Sequence, residues 1–134
     1  AGLDLSPCFY RKALYHKVPL MPAGYMERKL GKGPSSCKEE PFTILLAHSP
    51  LYFDSYARWG ADLTLAGHFH GGTIRIPGLG GVMTPQYQFF LPWCAGDFER
   101  NGKRMIVSRG LGTHSINIRL NNRPQLVLIR LRRA

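Results

Sequence analysis

The sequence predicts an α/β fold in which short parallel strands are joined by helices. Residues 42 to 47 form an apolar run between two prolines, which is typical of a buried strand. Residues 49 to 60 carry apolar side chains at helical spacing, and residues 62 to 66 form a second apolar run. A strand, a helix and a strand in this order form a crossover unit, which is normally parallel and right-handed.

The helix of this unit has clear start and stop signals. Ser49 is a good N-cap, and Pro50 suits the first helical position because its missing N–H has no partner there in any case. Gly60 is placed to end the helix. The apolar side chains that fall on one face are Phe53, Tyr56 and Ala57.

Further strands are predicted on both sides of the crossover unit. Residues 1 to 5 resemble the tail of a strand already under way, which indicates further sequence upstream. Residues 73 to 76 alternate like an edge strand, and residues 77 to 96 are typical of a structured loop. Asn101-Gly102 predicts a two-residue hairpin between 97–100 and 103–108. The alternation in residues 125 to 132 predicts a closing strand.

Composition indicates one globular domain with an anionic partner. The chain has 134 residues and 44% apolar content, without a secretion signal or the ~20-residue apolar run of a membrane span. Its net charge of +10 suits a phosphate ester, a nucleic acid or an anionic lipid surface, or else is offset by an acidic segment elsewhere in the protein. Three unpatterned cysteines favour a reducing compartment. We therefore expect a cytoplasmic or membrane-associated protein.

Residues 8 to 40 form a distinct region within this domain. The region begins with a basic, aromatic stretch and continues with glycines and prolines that interrupt regular structure. We expect a loop-rich insertion with one short helix. Two interpretations remain open: the insertion caps a substrate site or contacts a membrane, or it is a solvated loop without a special role.

Three histidines carry the strongest chemical signal. His48 follows the strand at residues 42–47, and His68 and His70 follow the strand at residues 62–66. Ligand sites of open α/β sheets lie at the carboxyl ends of the strands. On an extended segment, a spacing of two would point both imidazoles the same way while Phe69 turns toward the core. A single histidine at a strand end is usually only a polar residue, but three at adjacent strand ends would suit zinc, manganese or iron.

The motifs containing these histidines resemble those of a known family. The segment ILLAHSP, followed by GADLTLAGHFHGG, is similar to the last two blocks of the calcineurin-like metallophosphoesterases. The segment VSRGLGTHSINIRLNNRPQLVLIRL resembles the C-terminal end of a bacterial phosphohydrolase branch that includes lipid-precursor pyrophosphatases. The resemblance covers residues 42 to 131, with AGLD matching an earlier strand. It implies a β-sandwich flanked by helices, a four-layer fold of which residues 1–134 are the C-terminal half.

The resemblance also implies a role for each histidine. His48 and His68 match ligands of one metal, and His70 matches a ligand of the other. Such an enzyme binds two divalent metal ions (Mn, Zn or Fe) and hydrolyses a phosphate mono-, di- or pyrophosphate ester. The metals polarise the phosphoryl oxygens and activate a water molecule that attacks in line. Phe69 stands where the family often has threonine, which makes the pocket floor more apolar.

Several parts that the family needs are absent from this sequence. The D-x-H, G-D-x-x-D and G-N-H-[DE] blocks supply the bridging carboxylate, the remaining ligands and the histidine that acts as general acid, and none occurs here. Two dications ~3.5–4 Å apart repel, and three neutral imidazoles cannot hold them without a bridging anion. We therefore expect the chain to be inactive alone, with the N-terminal half of the same protein as its partner.

Two further expectations concern ligands. Arg109, in Ser108-Arg109-Gly110, could bind a substrate phosphate, although a packing role is the favoured interpretation. The substrate class includes lipid-linked phosphates, with peripheral membrane contact, whereas nucleic acid is disfavoured. The rival hypothesis is a basic, non-catalytic module that binds nucleic acid or an anionic lipid surface. Steep salt dependence would identify that module, and loss of function on chelation would identify the enzyme.

Overall fold

A computed structural model describes residues 1–10, 19–34, 41–84, 89–113 and 118–132. It confirms a mixed α/β fold of seven short strands and two short α-helices in the described ranges. The strands are β1 (Gly2–Leu3), β2 (Ile44–Ala47), β3 (Leu63–Ala66), β4 (Ile74–Ile76), β5 (Gly80–Met83), β6 (Gly96–Arg100) and β7 (Lys103–Val107). The helices are α1 (Tyr25–Leu30) and α2 (Phe53–Trp59).

Five strands form the main sheet in the order β1-β2-β3-β7-β6. The pairs β1–β2, β2–β3 and β3–β7 are parallel, and only β6 runs antiparallel to its neighbour. The parallel β2–α2–β3 unit and the early strand at the N-terminus confirm the sequence predictions. Because β2 and β3 are adjacent and parallel, the chain leaves both at the same edge of the sheet.

The predicted helix signals act as expected, with one refinement. The Ser49 hydroxyl accepts a hydrogen bond from the backbone N–H of Leu51 at 3.4 Å, and the chain first forms a 3-10 turn over Pro50–Tyr52. Helix α2 follows and ends at Gly60, which adopts a left-handed conformation with φ 115°. Gly60 thus provides the expected C-terminal cap, since a glycine adopts this conformation at little cost.

The two faces of the main sheet differ in burial. Side chains at Leu45 and Met105 are fully buried on the face that carries α2. On the opposite face Leu46, Leu65 and Ile106 stand side by side across three strands. Leu46 is 55% exposed, and the other two are half-buried. Parallel sheets normally have both faces covered, so this open apolar row is unusual.

The described part of the 8–40 region packs on the core. A 3-10 turn at Pro7–Tyr10 buries Phe9 between the rings of Tyr25 and Tyr52, with centroid distances of 5.0 and 5.2 Å. Helix α1 supplies the single short helix that was expected. The basic stretch 11–18 and residues 35–40 lie outside the described residues. The region is therefore anchored by aromatic side chains, at least over residues 7–10 and 25–26.

The later hairpins are partly as predicted. β6 and β7 are joined by Asn101-Gly102, with φ values of 53° and 70°, as a type I′ turn requires. β4 pairs instead with β5 in a separate two-stranded sheet. β5 lies within residues 77–96, where the sequence predicted only a loop. The strand was missed because two of its four residues are glycines, which are uncommon in strands.

The predicted closing strand at residues 125–132 is wrong. Burial alternates, with Leu126 and Leu128 exposed and Val127 and Ile129 half-buried, but no strand is assigned to this segment. A strand needs a neighbour for its backbone groups, and the backbone link found here is from Gln125 N to Gly110 O at 3.0 Å. The alternating burial is thus that of an extended segment that does not pair with any described strand.

The helices of the described ranges are too short to cross a membrane. None of them has the length and apolarity to span a bilayer.

Asp62 joins three strands at the end of the sheet opposite the histidines. Its carboxylate accepts hydrogen bonds from Thr43 N at 2.8 Å and Lys103 Nζ at 2.6 Å. Burial alone would raise the pKa of Asp62, but these two donors outweigh it and hold the pKa below its ordinary value. The interaction is therefore fully present above the unfolded pKa of about 3.9 and is lost as the pH falls through the lower folded pKa.

We predict that Asp62→Asn lowers the free energy of unfolding by about 1 kcal/mol at pH 7. The difference from wild type should narrow as the pH falls below about 4, since the wild-type carboxylate is then being protonated. Urea unfolding of both proteins at several pH values measures the loss at pH 7 and its dependence on pH. A difference that stays constant down to the acid limit would contradict the assignment.

Candidate metal centre

His48 and His68 lie where β2 and β3 end at the same edge of the sheet. The carbonyl oxygen of His48 accepts a hydrogen bond from Gly67 N at 3.2 Å, which ties the two chain exits together. On the α2 side, the buried Tyr56 hydroxyl donates to the carbonyl of Ser49 at 2.9 Å. The backbone of His48 is thus tied to the chain exit of β3, and its neighbour Ser49 is held by helix α2.

The two imidazoles face each other through nitrogen atoms. His68 Nδ1 lies 2.8 Å from His48 Nε2, and the ring centroids are 4.5 Å apart. Two nitrogens that bind one metal at about 2.0–2.1 Å are separated by about 2.9 Å at a right angle and about 3.3 Å at the tetrahedral angle. The observed separation is that of a hydrogen bond in which one ring donates an N–H to the other, and it lies close to the value for two ligands at a right angle.

Residues 67–72, which we call the histidine turn, are not extended. His68 and His70 have left-handed φ values of 67° and 50°, and the N–H of Phe69 bonds back to the carbonyl of Gly67 at 2.8 Å. The prediction that an extended segment aims both imidazoles is thus wrong. The prediction for Phe69 is confirmed, because its side chain is 0% exposed. Non-glycine residues in this conformation are strained, and such strain is common at functional sites.

Side chains from elsewhere in the chain satisfy the carbonyls of the histidine turn. Asn122 Nδ2 donates to the carbonyls of His70 and Gly72 at 2.6 and 2.5 Å. Arg75 Nη1 donates to the intervening carbonyl of Gly71 at 2.9 Å. Three consecutive carbonyls therefore accept bonds from two side chains, which holds the turn in its unusual conformation.

His70 does not join the other two histidines. Its ring lies toward the loop at Gly110, where a Cβ atom would stand 3.7 Å from His70 Nδ1. Across the described ranges, no group of three or more His, Cys, Asp or Glu side chains is close enough to hold a metal. Two of the three predicted ligands are thus brought together, and the donor set around them is incomplete.

Tyr10 and Asp4 line the same open depression as His48 and His68. The Tyr10 ring lies 5.6 Å from the His48 ring and 5.3 Å from the His68 ring, centroid to centroid. Burial raises the pKa of Tyr10, and the nearby Asp4 carboxylate raises it further. The phenol is therefore neutral at physiological pH, and it places part of the 8–40 region directly beside the candidate ligands.

Arg109 packs behind the histidine turn. Its Nε and backbone N–H donate to Oε1 of Gln125 at 3.2 and 3.3 Å, and its aliphatic stem occupies the space that a Gly71 side chain would need. Arg119 in turn donates to the carbonyl of Arg109 at 3.0 Å. This arrangement gives Arg109 a packing role. Contact with a substrate phosphate stays a prediction.

Two residues of this site were missed in the sequence. Asn122 has no local signal, because its partners lie more than 45 residues away along the chain. Tyr10 belongs to an aromatic, basic stretch, which pointed to a surface role without identifying the neighbour. Only a long-range contact could have revealed either.

Comparison with known proteins gives three relatives. The chain is 30% identical over 98 residues to the uncharacterized metallophosphoesterase YkuE of Bacillus subtilis (strain 168), covering 73% of this chain and 34% of the relative. It is 28% identical over 88 residues to the uncharacterized metallophosphoesterase YkoQ of the same organism (66% and 33%). It is 30% identical over 101 residues to the phosphodiesterase YaeI of Escherichia coli K12 (71% and 36%).

The matches cover only part of each relative. It spans about a third of the length of each of these curated relatives. No protein-family model matches the chain, and no solved structure matches it.

We predict that alanine substitutions at two glycines of the histidine turn differ greatly in their effect on stability. Gly71→Ala should lower the free energy of unfolding by about 1–3 kcal/mol, because φ is 75° and the new Cβ would lie 2.5 Å from Arg109 Cγ. Gly67→Ala should change it by less than about 0.5 kcal/mol, because nothing lies within 4 Å of its Cβ position. Urea unfolding compares the two, and equal losses would contradict the described turn.

Proposed function

The chain belongs to the metallophosphoesterases, and from that premise we propose that it contributes His48, His68 and His70 to a dinuclear metal centre that hydrolyses a phosphate ester. The observation that carries the proposal is the pairing of His48 Nε2 with His68 Nδ1 at 2.8 Å, at the carboxyl edge of a parallel sheet. Paired imidazoles at this edge have the donor chemistry of a zinc, manganese or iron site.

In this proposal His48 and His68 share one metal, and His70 binds the second. When bound, the two divalent cations (Mn, Zn or Fe) would polarise the phosphoryl oxygens and activate the attacking water. The chain's own residues keep the two imidazole nitrogens 2.8 Å apart. They also present Tyr10 as one wall of the site.

The centre needs a second polypeptide segment. His70 is directed away from the other pair, and no carboxylate in the described ranges completes a three-ligand group with them. Two dications at ~3.5–4 Å repel each other strongly, and neutral imidazoles do not offset that repulsion. We propose that the segment carrying the D-x-H, G-D-x-x-D and G-N-H-[DE] blocks supplies the bridging carboxylate and the general acid, and that this chain is inactive without it.

The open face of the main sheet indicates where that segment packs. Leu46, Leu65 and Ile106 form an apolar row across three strands, with no α-helix on that side in the described ranges. Covering this row would give the two-sheet sandwich that the family resemblance implies, with residues 1–134 as its C-terminal portion. Sheets that pack face to face interdigitate such side chains in a layer about 10 Å thick.

The substrate we propose is a phosphate mono-, di- or pyrophosphate ester, including lipid-linked esters. The basic, aromatic composition of residues 8–40 supports this class. The position of Tyr10 beside His48 and His68 supports a capping role for that region. The same composition would favour contact with a membrane surface.

The described charges favour the enzyme over a purely basic binding module. Three cations are ion-paired to carboxylates: Arg100 with Asp54, Lys103 with Asp62, and Arg104 with Asp97. Arg75 and Arg119 donate to backbone carbonyls around the site. Part of the positive charge is thus offset by neighbouring carboxylates or engaged by backbone carbonyls near the site.

We predict that His48→Ala and His68→Ala in the intact enzyme each abolish metal retention at the shared site and lower turnover by at least about 100-fold. Metal analysis and hydrolysis of a chromogenic phosphate ester, with and without chelator, provide the measurement. Asp62→Asn, at the opposite end of β3, is the control and should retain metal and turnover. A His68→Ala enzyme with wild-type turnover and metal content would refute the proposal.

We predict that Leu46→Asp affects stability only when the missing segment is present. In a protein that carries that segment, it should lower the free energy of unfolding by about 2–3 kcal/mol, because a buried leucine contributes about that much. In the isolated chain, where Leu46 is 55% exposed, the loss should be small. Leu79→Asp, at a position 61% exposed outside the main sheet, is the control for both proteins. Equal effects of Leu46→Asp in the two proteins would contradict coverage of this face.

A further inference from the structure

We propose that Asn122 is a positioning residue that sets the direction of the His68 imidazole through the histidine turn. The proposal rests on the metal-ligand role given above to His48 and His68. It adds a residue from the C-terminal segment of the chain, which is remote in sequence from both histidines.

The first step is the burial and bonding of Asn122. Its side chain is 2% exposed, and Nδ2 donates to the carbonyls of His70 and Gly72. Both bonds cross more than 45 residues of sequence. A buried amide that donates both protons to one turn favours that geometry, because relaxation of the turn would leave those protons and the two carbonyls unpaired. The amide oxygen, Oδ1, is buried without a hydrogen-bond partner in the described residues.

The second step is the conformation that those bonds hold. His68 and His70 adopt left-handed φ values, each of which costs free energy relative to an ordinary conformation. The backbone of His68 fixes where its ring begins, so relaxation of the turn would move Nδ1 away from His48 Nε2. Arg75 assists through Gly71, but it bonds to only one of the three carbonyls.

The third step is how Asn122 is placed. Leu120 pairs with Ile74 in a parallel bridge, with Leu120 N donating to Thr73 O and Arg75 N donating to Leu120 O, both at 3.0 Å. This pairing places Asn122 directly behind the histidine turn. The packing is tight, since a Cβ on Gly71 would lie 2.9 Å from Asn122 Oδ1.

The experiment compares Asn122→Ala and Asn122→Asp with wild type in the intact protein, which includes the segment that supplies the remaining ligands. The aspartate retains the shape but replaces the donor with an acceptor, so it separates hydrogen bonding from packing. Asp62→Asn controls for general loss of stability at a distance from the histidines. Imidazole ¹⁵N NMR signals of His48 and His68 give a readout without metal, and titration with Zn²⁺ alone gives the apparent affinity.

We expect both Asn122 variants to shift the imidazole signals and to weaken Zn²⁺ binding about 10–100-fold, as loss of a ligand-orienting partner commonly does. Asp62→Asn should leave both readouts at wild-type values. If Asn122→Ala does not fold, Asn122→Ser, which retains one donor, should give an intermediate shift. Wild-type signals and affinity in Asn122→Asp would overturn the positioning role.

The two levels of the proposal fail in different ways. Absence of Zn²⁺ binding by the wild-type intact protein, in which the segment with the remaining ligands is present, would count against the ligand role of His48 and His68. The imidazole signals would still decide whether Asn122 orients His68. Unchanged signals in folded Asn122 variants would refute the positioning role even if Zn²⁺ binds normally to the wild-type chain.

Discussion

The parallel pairing of β2 with β3 is the constraint on which the candidate site depends. The register Leu46 to Leu65 continues past both strands as the hydrogen bond from Gly67 N to the carbonyl of His48. Because side chains alternate along a strand, a slip of one residue would exchange the buried and open faces of β2. It would also separate His48 from His68. Burial of Leu45 therefore fixes the β2–β3 register that brings His48 beside His68, in addition to its contribution to the core.

The sheet alone does not finish the site, because the chain reverses immediately after β3 in a strained turn. Left-handed conformations at two non-glycine residues cost on the order of 1–3 kcal/mol each. Donors from Asn122 and Arg75 and the full burial of Phe69 offset that cost. The strained turn thus places two imidazole nitrogens 2.8 Å apart, and it is stabilised partly by neighbouring residues and partly by Asn122, which is remote in sequence.

Sequence patterns predicted the elements whose determinants are local. The β2–α2–β3 unit follows from two apolar runs, a cap at Ser49 and a terminating glycine, and the β6–β7 hairpin follows from Asn101-Gly102. Position at the strand ends predicted that all three histidines converge, and the structure brings together His48 and His68 but not His70. The left-handed turn and the clamp by Asn122 could not be predicted, because they depend on contacts between residues about 50 positions apart. The closing strand failed for a related reason, since alternation records burial and not the presence of a hydrogen-bonding neighbour.

The open face and the incomplete ligand set have a common explanation. β2 and β3 provide both features, since Leu46 and Leu65 lie on the uncovered face and the two histidines follow at the ends of the same strands. A layer that covers Leu46 and Leu65 would therefore end beside the paired imidazoles if its strands ran in the same direction. A carboxylate at the end of such a strand would be within reach of a cation held by His48 and His68. Under the proposed function, coverage of the apolar row and completion of the metal centre would be one event, and the free energy of packing the second layer would also assemble the site.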